Sequence, residues 1–171
     1  MSREVIRPWP TQADHKAPYV PAIRVKGGTV LFMSGMGALP PVHRHPHVPE
    51  EWILPDDPAE QTRRALDKIR TVVEAAGGSF RDIVKITRYL KDISEQDRVN
   101  AVIHEYFGEN LPCSTTVQVS AFVVPTMEIE IDAWAVIPDA APRRAAKIPA
   151  VPARPARSRA AKAGRGRRRR S

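Results

Sequence analysis

The sequence has few of the features that mark secreted, membrane-bound or disulfide-stabilised proteins. Cys113 is the single cysteine among 171 residues, which excludes an intrachain disulfide and favours a reducing compartment. No apolar run approaches the roughly 20 residues that a membrane-spanning helix needs. The first residues also lack the charged-then-apolar pattern of a signal peptide. These absences predict a cytoplasmic protein that makes no contact with a membrane.

Charge is distributed unevenly along the chain. All 19 acidic residues and 15 of the 27 basic residues lie in 1–139, whereas the other 12 basic residues lie in 140–171. The body therefore carries a net charge of −4, and the last segment carries +12. Because residues 139–171 are rich in Ala, Pro and Arg and lack aromatics, we predict a disordered tail there, following one domain at 1–138. Two interpretations of this tail stay open: nonspecific contact with nucleic acid through phosphates, or a dispensable extension without a partner.

Hydrophobic periodicity predicts an α/β (α+β) domain. Before residue 20, prolines discourage regular structure. Asp57 is predicted to cap the first helix, which ends at Gly77, and Ser94 is predicted to cap the second, which ends at Gly108. Strands are predicted at 22–25, 29–34, 83–90, 114–121 and 127–137, the first two forming a hairpin around Gly27 and Gly28. The order is ββαβαββ, with two helices on one face of a mixed sheet.

The last strand alternates between two kinds of side chain. Ile129, Ile131 and Ala133 point one way, and Glu130 and Trp134 point the other way. The first face is apolar enough to pack on the helices. The second carries carboxylates and an aromatic ring, and we expect it to be buried partly against other subunits.

Seven short stretches, in this order and spacing, resemble the RidA (YjgF) family over about 120 residues. They are Pro18-Tyr19-Val20, Phe32-Met33-Ser34-Gly35, Asp82-Ile83-Val84-Lys85-Ile86-Thr87 with Lys91-Asp92, Val99-Asn100-Ala101, Tyr106-Phe107, Pro112 and Ile129-Glu130-Ile131-Asp132-Ala133. The resemblance implies a chorismate-mutase-like subunit that assembles as a homotrimer with ligand sites in the clefts between subunits. It also implies hydrolysis of imines or enamines to a carbonyl compound and ammonia.

Site residues follow from the resemblance position by position. Glu130 matches the catalytic glutamate of the family, although a carboxylate on a solvated strand face is the alternative. The expected substrate-binding residues are Tyr19, Ser34, Gly35, Asn100, Ser114 and Thr116. No glycine-rich nucleotide loop or complete metal-ligand set is present, so no cofactor is predicted.

One position departs from the family pattern. The family's Pro-x-Arg-(Ser/Ala) motif reads Pro112-Cys113-Ser114-Thr115, so that a serine stands where an arginine would bind the substrate carboxylate. We therefore expect a substrate that is larger or less acidic than an ordinary 2-imino acid. Whether Arg24 or Arg88 replaces the missing positive charge is not decided by the sequence.

Three alternatives remain open at this point. The chain could be a trimer that binds a small metabolite without turning it over, which the missing arginine favours. An RNA-associated, ribonuclease-like role is favoured by the tail and disfavoured by the negative body. His43, His45 and His47 alternate in a proline-rich loop and could bind a transition metal, but no cysteine or suitably spaced carboxylate completes a site. We therefore predict an exposed loop and no metal.

Overall fold

The computed structural model describes residues 1–9, 17–44 and 46–139. The predicted basic tail, apart from its first residue, and His45 lie outside the described residues. The elements, in chain order, are β1 (Ser2–Ile6), β2 (Ala22–Lys26), β3 (Thr29–Gly37), α1 (Pro58–Ala75), β4 (Ile83–Leu90), α2 (Gln96–Phe107), β5 (Cys113–Gln118) and β6 (Ile129–Ile137), with short 3-10 turns at Pro49–Glu51, Phe80–Asp82 and Ile93–Glu95.

The main sheet has four strands in the order β3-β6-β4-β5. β6 pairs antiparallel with both β3 and β4, whereas β4 and β5 run parallel, so the sheet is mixed as predicted. β3 and β5 are its two edges. Both helices contribute to one core with the sheet, and this core contains Leu66 and Ile69 of α1 and Val99 and Ile103 of α2.

Helix α1 begins and ends where local sequence favours it. Asp57 accepts a hydrogen bond from the Ala59 backbone N–H at 2.9 Å, and Pro58 needs no amide partner in the first turn. After the helix, Gly77 has φ +85°, a left-handed conformation that favours glycine. The predicted limits of this helix are confirmed.

The predicted hairpin of the second and third strands is wrong. β2 pairs antiparallel with β1, from Ser2↔Lys26 to Ile6↔Ala22, and β3 pairs with β6 instead. The expectation of irregular chain before residue 20 is therefore also wrong for Ser2–Ile6. The discouraging prolines all follow that segment, and Val5 and Ile6 are β-branched residues that suit a strand.

The start of α2 also differs from the prediction. Asp92, rather than Ser94, accepts the capping hydrogen bonds, from the Ser94 backbone N–H at 2.9 Å and its hydroxyl at 2.8 Å. A 3-10 turn at Ile93–Glu95 follows, and α2 proper begins at Gln96. Asp92 therefore caps this 3-10 turn, whereas Glu95, the N-cap residue of α2 itself, makes no side-chain capping hydrogen bond.

The two faces of the sheet have opposite character, as predicted from β6. Ile129, Ile131, Ala133 and Ala135 are fully buried against the helices. On the other face Trp134 stays 48% exposed. Burying one large aliphatic side chain contributes about 1.5–3 kcal/mol, so the helix-covered face supplies most of the stability.

The described chain ends just past β6. Asp139 accepts hydrogen bonds from the Gly28 backbone N–H at 3.1 Å and the Thr29 hydroxyl at 3.0 Å, which ties the end of β6 to the start of β3. No helix among the described residues is both long and apolar enough to span a membrane.

Candidate functional site

A cavity of about 530 Å³ lies where α1 and the loop after β3 meet the sheet. Its polar groups come from distant parts of the chain: Glu130 from β6, Lys68 and Thr71 from α1, and His43 and His47 from the loop. Apolar side chains such as Met127 complete the lining. A concave, mostly apolar space with a few convergent polar groups is the usual form of a small-molecule site.

An irregularity in β3 makes room for the carboxylate of Glu130. The register between β3 and β6 shifts between Met33 and Met36, so the intervening Ser34 and Gly35 leave the regular ladder. A Cβ atom on Gly35 would overlap the Glu130 carboxylate. Gly35 lines the cavity beside that carboxylate, whereas Ser34 is exposed next to the lining.

Burial is the main influence on the pKa of Glu130. It raises the pKa of this carboxyl above its ordinary value, and the nearby negative charge of Asp132 raises it further. The positive charge of Lys68 acts in the opposite direction. Burial in turn lowers the pKa of Lys68, whose ammonium group donates to the Leu39 carbonyl at 2.8 Å. The cavity therefore holds one carboxyl and one amine, each with its charged form disfavoured by burial.

A second group of predicted site residues lies near β5, at the opposite edge of the sheet from β3. Ser114 and Thr116 of β5 are paired with Ile86 and Arg88 of β4. Arg88 is 2% exposed and donates from Nη1 to the Oδ1 atom of Asn100 at 2.6 Å. Ser114 is partly exposed, but its hydroxyl oxygen is buried and has no hydrogen-bond partner among the described residues.

Tyr19 is positioned next to this second group. The backbone N–H of the following residue, Val20, donates to the carbonyl of Pro112 at 3.1 Å, immediately before β5. Val20 is buried, and Tyr19 is 45% exposed. Its side chain is therefore at the surface near the beginning of β5.

The structure brings the predicted site residues together as two groups, not one. Ser34, Gly35 and Glu130 lie at the β3 side, and Tyr19, Asn100, Ser114 and Thr116 lie at the β5 side. The two groups also use different faces of the sheet. Arg88 is paired with the fully buried Ile131 on the helix-covered face, whereas Glu130 belongs to the alternate set on the other face.

Sequence reasoning did not identify Lys68 and did not decide about Arg88. For both residues, the sequence contains a pattern that could have identified them. Lys68 lies three residues after Ala65 and four before Val72, which places a charge beside the apolar stripe of α1. Arg88 stands between Ile86 and Leu90, at a strand position whose neighbours in the alternation are buried. The other candidate, Arg24, pairs with Glu4 at the surface at 2.6 Å.

The histidine loop shows ring stacking between His43 and His47, whose centroids are 5.1 Å apart. Within residues 1–9, 17–44 and 46–139, no three His, Cys, Asp or Glu side chains are grouped closely enough to hold a metal ion. His45, the middle histidine of the predicted series, lies outside that part of the chain.

Two helices on one face of a mixed sheet define the class of this domain: an α+β subunit with polar groups at two sheet edges. The family described as Endoribonuclease L-PSP matches residues 11–137. The chain therefore belongs to the RidA (YjgF) family. The crystal structure of the YjgF gene product from Escherichia coli shares this fold with a TM-score of 0.53 and 34% sequence identity, and the match covers 70% of this chain and 87% of that one.

Two curated relatives carry names that state a reaction. The chain is 35% identical to the 3-aminoacrylate deaminase RutC of Acinetobacter baylyi, over 77% of this chain and 95% of that protein. It is 34% identical to the 2-iminobutanoate/2-iminopropanoate deaminase of Escherichia coli strain K12, over 70% of this chain and 87% of that protein. Imine and enamine deamination is thus an activity of named relatives.

Proposed function

We propose that this protein is a deaminase that hydrolyses reactive imines or enamines to a carbonyl compound and ammonia. The observation that carries the proposal is the carboxyl of Glu130, held beside Gly35 in a cavity of about 530 Å³. The names of the two relatives support the same class of reaction.

The reaction requires one water molecule and one group that exchanges protons. In the proposed mechanism Glu130 accepts a proton from water as the water oxygen bonds to the C=N carbon, and the protonated Glu130 gives that proton to the nitrogen to form a carbinolamine. A proton then passes from the hydroxyl group to the amine, the C–N bond breaks, and the carbonyl and ammonia form. An enamine first takes a proton on carbon to give an iminium ion, which becomes the imine by losing a proton from nitrogen. These steps balance without an oxidant, reductant or cofactor.

The electrostatics of the cavity suit this role. A proton-exchanging group works best when its pKa lies near the working pH, and burial raises the pKa of Glu130 in that direction. Lys68 opposes the shift, so that the ionised form remains accessible. The apolar part of the lining limits competition from bulk water for the reactive carbon.

We further propose that the complete site forms between subunits of a homotrimer. In one subunit, Ser34, Gly35 and Glu130 are separated by the sheet from Asn100, Ser114 and Thr116, so one small molecule reaches both groups only if a second copy supplies one of them. The open sheet face supports association. Phe32 is 67% exposed there, and its ring packs edge-on against Trp134 with centroids 5.0 Å apart.

The test is ammonia release from freshly generated imines and enamines, some with a carboxylate beside the C=N carbon and some without. The variant Glu130→Gln should lower the rate by about 10²–10⁴-fold, since general acid–base catalysis contributes that much. The matched control is Glu128→Gln, two residues away. That glutamate pairs with Lys91 at 2.8 Å at the surface and does not line the cavity, so its loss should change the rate little.

Two results would contradict the proposal. One is turnover that survives in Glu130→Gln as well as it does in Glu128→Gln. The other is a folded, oligomeric protein that turns over no member of the panel, which would favour the binding of a small metabolite without chemistry. Added EDTA should leave the rate unchanged, because the proposed steps use no metal.

A further inference from the structure

Among the described residues, Arg88 is a buried cation without a counter-ion. It is 2% exposed, burial lowers its pKa to about 10, and no neighbouring carboxylate contributes to that change. The guanidinium therefore remains charged at neutral pH. In the described part of the chain none of the ion pairs includes Arg88, and its one side-chain partner is the neutral amide of Asn100. A charge taken out of water without a partner destabilises a fold.

The hydrogen-bonding capacity of this guanidinium is also incomplete. The Oδ1 atom of Asn100 accepts a hydrogen bond from Nη1, whereas Nε is buried and has no partner among the described residues. Nε belongs to the side of the guanidinium fork whose two parallel N–H groups match the two oxygens of a carboxylate. The unsatisfied atom is thus on the edge that binds carboxylates in a bidentate manner.

A second unsatisfied polar atom lies in the same part of the sheet. Ser114 lies two residues before Thr116 on β5, on the same face, and Thr116 is paired with Arg88 in the parallel β4–β5 ladder. Residues in such diagonal positions are within reach of a long side chain. The Ser114 hydroxyl oxygen is buried without a partner. A guanidinium edge and a hydroxyl, both lacking partners, are therefore present in one small region.

This region lies just beneath the surface. β5 is an edge strand, and Asn100, Ser114 and Thr116 are each partly exposed. The polar groups around Arg88 are therefore close to solvent at the edge of the sheet.

We propose that Arg88, with Asn100 and Ser114, forms a carboxylate-binding site for a small organic acid. Arg88 supplies the charge, Asn100 orients the guanidinium, and Ser114 adds a hydroxyl. Because Ser114 stands where the family has an arginine, the sequence predicted a substrate that is larger or less acidic than an ordinary 2-imino acid. The proposed site reverses that expectation because Arg88, on the neighbouring strand β4, supplies the cation. That the bound carboxylate belongs to the substrate rests on the proposed deaminase function, but carboxylate binding itself does not.

The experiment is calorimetric titration of the full-length protein with pyruvate and with pyruvamide, which has a neutral amide in place of the carboxylate. Wild type should bind pyruvate and should bind pyruvamide at least tenfold more weakly. Arg88→Met keeps the side-chain volume but removes the charge, and it should weaken pyruvate binding by about 10- to 100-fold. Arg24→Met removes an exposed arginine and should leave binding unchanged.

A swap of positions gives a sharper test. The double variant Arg88→Val/Ser114→Arg moves the cation from β4 to the adjacent strand on the same face, and it should bind pyruvate within a few-fold of wild type. Thermal unfolding and oligomeric state, measured for every variant, establish that each is folded.

Several outcomes would overturn the carboxylate site: unchanged pyruvate affinity in Arg88→Met, no preference for pyruvate over pyruvamide in wild type, or no binding of pyruvate up to about 10 mM. A change in oligomeric state with unchanged pyruvate affinity would assign Arg88 to a carboxylate of another subunit instead. The deaminase proposal fails separately, by absence of ammonia release while pyruvate still binds.

Discussion

The two sides of the sheet hold opposite charges in different ways. At the β3 side the Glu130 carboxyl faces a cavity and feels the positive charge of Lys68. At the β5 side the Arg88 guanidinium is almost fully buried and has a neutral partner. Solvent and a nearby cation limit the free-energy cost of burying the Glu130 carboxylate. Burial of the Arg88 guanidinium destabilises the fold, and no counter-ion among the described residues offsets that cost.

That difference indicates where a ligand is needed. The carboxyl at the β3 side is suited to exchanging protons with water in a cavity. The guanidinium at the β5 side is suited to holding an anion, because a bound carboxylate supplies the counter-ion and the hydrogen bonds that the subunit lacks. In the proposed trimer, the two groups act on the same molecule by coming from different subunits.

The largest expected effect comes from mixing two variants that each lack one half of the proposed site. Glu130→Gln and Arg88→Met should each be strongly impaired on imines that carry a carboxylate. If the oligomers are dissociated and reassembled from an equal mixture, about one quarter of the sites should combine two intact halves, because in the proposed trimer each site draws its halves from neighbouring copies. Activity should then recover to about a quarter of the wild-type rate.

The control for this mixing is the same pair of proteins combined without dissociation, which should show no recovery. No recovery after reassembly, in trimers shown to contain both variants, would mean that the two sides of the sheet do not share a substrate.

A smaller effect is expected from Gly35→Ala, which tests the β3 side alone. The added methyl would overlap the Glu130 carboxylate, which must move, and a displacement of about 1 Å can cost about 10²-fold in rate. Steady-state kinetics should show this loss in kcat, with little change in the thermal midpoint because the carboxylate end is flexible. In a Glu130→Gln background the same substitution should cost little more. An equal loss in both backgrounds would show that Gly35 acts independently of Glu130.

The smallest effect is expected from Lys68→Met, read from the pH dependence of the rate. Lys68 lowers the pKa of Glu130, so its removal should raise that pKa, and the fall in activity on acidification should begin at a higher pH. The maximal rate should change by less than about tenfold, since the proton-exchanging group is retained. Lys26→Met, on the exposed strand β2, should leave the profile unchanged. A shift towards lower pH in Lys68→Met would contradict the assigned electrostatics.

Much of the secondary structure could be predicted because its causes are local. Asp57 and Pro58 favour the start of α1, Gly77 favours its end, and the alternation in β6 separates Ile131 from Trp134 whatever the rest of the chain does. The family resemblance, too, depends on short stretches read in order. The pairing of β2 with β1 was missed, because proximity in sequence suggests a hairpin but does not decide which strand offers the better partner.

The sequence by itself determined both helices, most of the strands and the helix-covered face of the sheet, and the family resemblance indicated Glu130 as the candidate proton-exchanging group. Only the tertiary structure decided what surrounds each charge. Lys68 reaches the cavity of Glu130 from a helix 62 residues earlier in the chain, and Arg88 comes to lie opposite Thr116, two residues from Ser114, through the pairing of β4 with β5. The reason is physical: burial and charge–charge distance depend on which elements pack together, and no local pattern of residues contains that information.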